Sequence, residues 1–216
     1  MRYKETKTDP RQRILEVAER FFKKYGYRNT TFQMIADELG IANATISYHF
    51  KTKSHMLYEI FSKFFYLVSR YVSANLTEGF NYYLFYSIVC IQVYREIMKK
   101  ESNWQLFYHK EQIEIWAKEK VHFFEERYRH ISDDFHRGLS DEEIYMASIM
   151  DVGARLRMFQ EFTYGEGNLT IDKYCYYHVY LMGKFSKLDE NTIQSQIARA
   201  FEFANTHDMP TIYLLK

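Results

Sequence analysis

Apolar residues recur at helical spacing along almost the whole chain. Asp9 and Pro10 form a helix start, with Asp as N-cap and Pro at the first helical position. Ile14, Leu15, Ala18, Phe21 and Phe22 follow as one stripe, and Gly26 ends the run. Asn29, Thr30 and Thr31 offer a second cap. Phe32, Ile35, Ala36 and Leu39 then make a one-sided stripe closed by Gly40. A short segment from Ala42 to His49 is anchored by Ile46 and Phe50. Thr52-Lys53-Ser54 opens a long amphipathic helix through Met56, Leu57, Ile60, Phe61, Phe64, Val68 and Tyr71, predicted to reach about Asn75.

Beyond Gly79 the predicted helices lengthen. They run from about Asn81 to Lys100, Ser102 to His109, and Glu111 to His130. Ser140 with Glu143 three residues on is a capping box, opening a helix to about Tyr164 that ends at Gly165-Glu166-Gly167-Asn168. Two more are expected over about Thr170 to Phe185 and Asp189 to Asn205. The pattern predicts roughly ten helices and no strand stronger than the helical signal.

Composition supports that picture. The 216 residues include only 2 Pro and 8 Gly, against 20 Tyr and 18 Phe. Few breakers disfavour a turn-rich β fold, and the chain is long enough to bury a sizeable core. Net charge is +1, but it divides unevenly. Residues 1–60 carry 11 Lys and Arg against 7 Asp and Glu, a surplus of four positive charges. The remainder carries 18 against 21. A basic first quarter points to an N-terminal anion-binding module.

Cys90 and Cys175 form no disulfide framework. Together with His109 and His178 they show no metal-ligand spacing, so no metal or cofactor is expected. There is no Gly-x-Ser-x-Gly, no phosphate-cradling glycine loop and no His-Glu-x-x-His, so an enzyme is not expected. The polar start and the longest apolar tract, about Tyr82 to Ile91 and interrupted by Ser87, lead us to expect neither a signal peptide nor a membrane span, and a cytoplasmic protein.

The stretch from Thr30 to Leu57 carries the function. Two short helices joined by a tight turn at Gly40 have the spacing of a helix-turn-helix. With Ile46 and Phe50 buried, Asn43, Ala44, Thr45, Ser47, Tyr48 and His49 form the outward set. These mostly small, hydrogen-bonding side chains suit a helix seated in a DNA major groove. Lys51 and Lys53 follow at the next helix start, where backbone N–H groups and ammonium charge can hold phosphate.

Residues 9–60 resemble the TetR family of bacterial transcriptional regulators. The resemblance rests on Thr30-Thr31, Ile35-Ala36, Gly40, Tyr48-His49-Phe50, Lys51-Thr52-Lys53 and Met56-Leu57, with Ile14, Ala18, Phe21, Phe22 and Gly26 as the preceding helix. It implies an all-α protein: a three-helix helix-turn-helix DNA-binding domain, residues 1–53, fused to a larger helical ligand-binding and dimerisation domain, residues 54–216. It also implies roles. Asn43, Ala44 and Thr45 would face base edges, and Gln33 would reach a base or phosphate. Thr31, Tyr48, His49 and Lys53 would hold phosphates, with Ile35, Ala36, Gly40 and Phe50 as scaffold. Two residues depart from the family pattern. Ala42 stands where Ser often caps the recognition helix, forgoing about 1 kcal/mol, and Ser47 stands where Tyr is favoured, which puts its DNA contact in doubt.

By the same resemblance, the chain is expected to be a ligand-responsive repressor that binds a palindromic operator as a homodimer and is released by a small-molecule effector. The interface would lie on about 140–164 and 170–185, where Ala147, Met150, Ala154 and Met158 fall on one stripe. Rings crowd residues 80–125, and Tyr86, Tyr94, Trp104, Phe107, Tyr108, Trp116 and Phe123 are candidate pocket walls, with Arg155 and Phe159 from a later helix. The same rings serve equally as plain core, and Arg155 as a surface ion pair. The segment 189–207 either joins the dimer contact or covers the pocket. Two alternatives remain: a transferase-type enzyme with an aromatic pocket, and a helical protein-interaction module.

Overall fold

The computed structural model describes residues 9–107, 121–164, 169–209 and 214. Among these residues there are ten helices and no strand. They are α1 (Pro10–Tyr25), α2 (Phe32–Leu39), α3 (Asn43–His49), α4 (Lys53–Asn75), α5 (Tyr82–Met98), α6 (Glu101–Phe107), α7 (Val121–Asp134), α8 (Asp141–Tyr164), α9 (Ile171–Phe185) and α10 (Glu190–Thr206).

Local chemistry sets most of these boundaries. The side chains of Asp9, Thr31, Thr52, Asn81, Thr170 and Asp189 each accept a hydrogen bond from a backbone N–H in the first turn that follows. The capping box forms reciprocally: the Ser140 N–H donates to Glu143 Oε2 at 3.0 Å, and the Glu143 N–H donates to Ser140 Oγ at 3.3 Å. α2 stops at Gly40, whose φ of 62° is left-handed and brings its N–H back to the carbonyls of Ala36 and Asp37.

α7 overruns its expected end at His130, because the next two residues, Ile131 and Ser132, are buried and hold the helix to the core. Residues 111–120 of that expected helix, and His109, lie outside the described residues.

α1, α2 and α3 close on Ile14, Ala18, Phe22, Ile35, Ala36, Ile46 and Phe50, all buried. The proposed division after Lys53 falls at the first turn of α4, but α4 packs on α1 at one side and on α5 at the other. The helix is therefore common to head and body. An ion pair between Arg11 and Glu59 and the Arg11 guanidinium 4.8 Å from the Phe50 ring centre tie it to the head.

α5 is the hub of the body and packs against α4, α6, α7, α9 and α10. Thirteen of its residues are buried, and they lie on every side of the helix, as befits a central one. α10 covers one side of α5. Arg95 on α5 donates to Asn205 at 2.9 Å and lies over the Phe201 ring. This gives the segment 189–207 its place, as a cover for the hub helix.

The chain then turns back to α4. Gln92 donates to the His207 carbonyl at 3.0 Å and Tyr71 to the Asp208 carbonyl at 2.7 Å. Leu214 is buried in a crevice lined by Gln12, Leu15, Ile60, Phe64 and Leu67, between α1 and α4. No helix among the described residues is long and apolar enough to cross a membrane.

Candidate nucleic-acid interface and the polar core of the body

The head presents α3 outward. Ile46 and Phe50, four residues apart, are buried and pin its inner face. Asn43, Ala44, Ser47 and Tyr48 are exposed, while Thr45 and His49 are half-buried at the flanks. Tyr48 is 85% exposed and meets the His49 ring edge-on at 5.2 Å. A ring this exposed contributes nothing to the fold it stands on. Ala42 precedes α3 at the N-cap position and supplies no side-chain cap, as the sequence implied.

The supporting residues hold defined positions. Thr31 is exposed, and its hydroxyl accepts from the Met34 N–H at 3.2 Å, leaving its own O–H free to donate. The Gln33 amide donates to Asp37 Oδ1 at 2.7 Å on the same exposed face. Lys53 is engaged within the head. Its ammonium donates to the carbonyls of Tyr27 and Thr30 at 2.8 and 2.7 Å, and lies 4.6 Å from the Tyr27 ring centre. It ties the first turn of α4 to the loop between α1 and α2. Lys51 is exposed in the turn before α4.

The body does not gather the expected pocket residues into one described cavity. Tyr86 is half-buried, its hydroxyl 2.9 Å from His130 Nδ1, and burial pushes its phenol up to about 12. Tyr94 is buried, pushed up to about 12 by desolvation, and packs edge-on against Tyr174. Trp104 meets Phe159 edge-on at 5.9 Å. Phe123 stands at the surface. Tyr108, Trp116 and the side chain of Phe107 lie outside the described residues.

Arg155 is neither solvated nor at the surface. Its Nε and Nη2 donate to Asp151 Oδ1 and Oδ2 at 2.7 and 3.1 Å, and Nη1 donates to Tyr94 Oη at 3.3 Å. Burial opposes its charge, and Asp151 more than reverses that.

Arg127, Tyr128 and His178, all buried, complete this polar core and were not anticipated from sequence. A signal was present. Phe124, Arg127, Tyr128 and Ile131 follow the i, i+3, i+4, i+7 spacing of a buried stripe, so an arginine stands in a position meant for the core.

The head also matches known proteins. The family of bacterial regulatory proteins named for TetR matches residues 14–60. Over those residues the head is similar to the DNA-binding head of the TetR family. An HTH-type transcriptional regulator of Staphylococcus aureus is 42% identical to this TetR-type head over 53 residues, which are 24% of this chain and 29% of that protein. The chain thus matches less than a third of the length of that curated relative.

Solved structures extend the likeness to the whole fold. RolR without ligand aligns with a TM-score of 0.61 and 14% identity, over 93% of this chain and 99% of RolR. RolR in complex with resorcinol gives 0.60 and 15%, over 94% and 95%. SmeT, the repressor of a Stenotrophomonas maltophilia multidrug efflux pump, gives 0.53 and 19%, over 83% and 91%. At these identities the likeness is one of fold: a TetR-type head on a helical body.

Proposed function

We propose that this chain is an effector-responsive transcriptional regulator, acting as a repressor, that binds a palindromic operator as a homodimer. The observation that carries the reading is α3, fixed from inside by Ile46 and Phe50 and offering Asn43, Ala44, Thr45, Ser47, Tyr48 and His49 outward within a matched TetR-type head. In this reading Asn43, Ala44 and Thr45 read bases, while Thr31, Gln33, Tyr48, His49 and Lys51 position the phosphate backbone.

One such helix reads only a few base pairs, so a twofold partner supplies both affinity and half-site spacing. The exposed apolar face of α8, with Tyr145, Met146, Ile149 and Met150, and Tyr177 on α9 support pairing there. This face is one register away from the expected stripe: Ala147 is buried in the protomer core, and Ala154 and Met158 are half-buried. α4, shared by head and body, is the element through which effector occupancy alters the spacing of the two heads.

A mobility-shift assay with DNA from upstream of the gene, with specific and nonspecific competitors, tests the reading. A retarded band removed only by the specific competitor is the expected result. Absence of a shift with any genomic fragment would overturn it.

A further inference from the structure

In the polar core shared by α7 and α8, two guanidinium groups meet one carboxylate, the body's other buried carboxylate among the described residues, Glu96, being paired with Lys99. Arg155 and Asp151 form a bidentate pair and cancel each other. Arg127 is 6% exposed and makes no ion pair among the described residues. Its Nε has no hydrogen-bond partner, and Nη1 reaches only the Met182 sulfur at 3.8 Å. Three rings surround the guanidinium, with its carbon 4.9 Å from the centre of Tyr86, 5.1 Å from Phe123 and 4.7 Å from Phe124. Phe124 also lies 5.2 Å from the Arg155 guanidinium, so the two cations share one ring.

Ring faces soften a buried cation, but they do not replace a carboxylate. Desolvation and the nearby Arg155 both lower the affinity of Arg127 for its proton. One turn before Met182 on α9 stands His178, 1% exposed, with neither ring nitrogen hydrogen-bonded. Burial first, then Arg155 and Arg127, keep its imidazole neutral, so it offers one donor and one acceptor. Tyr128, beside Arg127 on α7, keeps its phenolic proton, chiefly through burial and then the Asp151 charge.

An unpaired guanidinium in a ring cage thus reaches α9 one turn from an unsatisfied imidazole. We propose that Arg127 is the anion hook of a ligand site in the body, and that its ligand is a small aromatic monocarboxylate. The net charge of Arg127, Arg155 and Asp151 is one positive, which a monoanion balances. The guanidinium edge at Nε offers two parallel N–H donors to a carboxylate. Tyr86, Phe123 and Phe124 provide faces for a flat apolar body. Phe123, 41% exposed, places one wall of the cage at the surface. This site deepens the effector-responsive reading above and rests on it for its regulatory consequence.

The test is calorimetric titration of the full chain, without DNA, using benzoate and 2-naphthoate as probes and benzamide as the neutral counterpart of benzoate. The carboxylates are expected to bind about tenfold or more tightly than benzamide, the scale of one charge-assisted hydrogen bond. Arg127→Gln should remove that preference, and Arg127→Lys should keep part of it. Thermal melting of Arg127→Gln should be no lower than that of the parent, because an uncompensated charge is removed.

No heat from either carboxylate, equal binding of benzamide, or parent-like binding by a folded Arg127→Gln would overturn the proposal. Saturation by benzoate that leaves operator affinity unchanged would uphold the anion site and count against the effector reading alone.

Discussion

The ammonium of Lys53 donates to the carbonyl of Tyr27 at 2.8 Å while lying 4.6 Å from the centre of the same residue's ring. The first turn of α4 is thereby fastened to the loop that precedes α2, which carries the cap residue Thr31. Lys53→Met keeps the aliphatic stem and removes the donor. It should cost roughly 1–3 kcal/mol, since carbonyls of a half-buried loop lose a charged partner. Thermal melting of the free protein reads this directly. Loss of a phosphate-holding lysine would instead lower the salt dependence of DNA binding by about one unit while leaving the melting temperature in place.

Tyr48 should show the opposite behaviour. Its ring is 85% exposed, so Tyr48→Ala should change stability by no more than about 0.5 kcal/mol. Operator affinity should fall for all sequences alike, whereas substitutions at Asn43 or Thr45 should shift sequence preference. Parallel melting curves and mobility shifts separate the two effects. A variant that melts early, or that binds DNA unchanged, contradicts this role for Tyr48.

Ala42 leaves the first turn of α3 without a side-chain cap. Its backbone is already extended, at φ −69° and ψ 143°, as a cap residue requires. Ala42→Ser should therefore stabilise the head by about 1 kcal/mol. Amide hydrogen exchange across Asn43 to His49 should slow in the DNA-free protein. Unchanged exchange would mean that α3 is held by Ile46 and Phe50 alone.

The helices were legible in sequence because their ends are chemical. Asp9, Thr31, Ser140 with Glu143, and Gly40 each satisfy backbone groups that only a helix terminus exposes. The outward set of α3 was legible for the same kind of reason, since burying Ile46 and Phe50 leaves a single face. The job of Lys53 was not legible, because it depends on the fold of a loop more than twenty residues earlier. Nor was the polar core. Arg127, Asp151, Arg155 and His178 lie on three helices, and helical periodicity orients each helix without saying which polar residues will meet. The register of the exposed α8 face escaped as well. Ala147 and Met150 share a stripe on paper, but the packing of α8 on α7 and α9 turns Ala147 inward.

That exposed face yields a prediction about assembly. Tyr145, Met146, Ile149 and Met150 together place large apolar surface in water on one protomer. Ile149→Glu puts a charge at the centre of the face while leaving the protomer core untouched. It should convert a dimer to a monomer at micromolar concentration, as read by light scattering, and weaken operator binding steeply. Protomer stability should change little. A dimer that survives Ile149→Glu places the twofold contact elsewhere.

His178 gives the chain a built-in acid sensitivity. Its ring is held against Tyr174 at 4.1 Å and Tyr94 at 4.9 Å, with its protonation opposed first by burial and then by Arg155 and Arg127. The folded state therefore binds the proton more weakly than the unfolded chain, whose histidine titrates near the ordinary value of 6.5. Above that value neither state is protonated and His178 adds no pH dependence. Below it the unfolded chain takes up a proton that the folded state refuses, so stability falls with acidification, by up to about 1.4 kcal/mol per pH unit. His178→Phe keeps an aromatic ring in the site and removes the titration. Its melting temperature should lose less than that of the parent between pH 6.5 and pH 5. Equal slopes in that window would show that the folded protein accommodates the imidazolium, and that the two arginines do not exclude it.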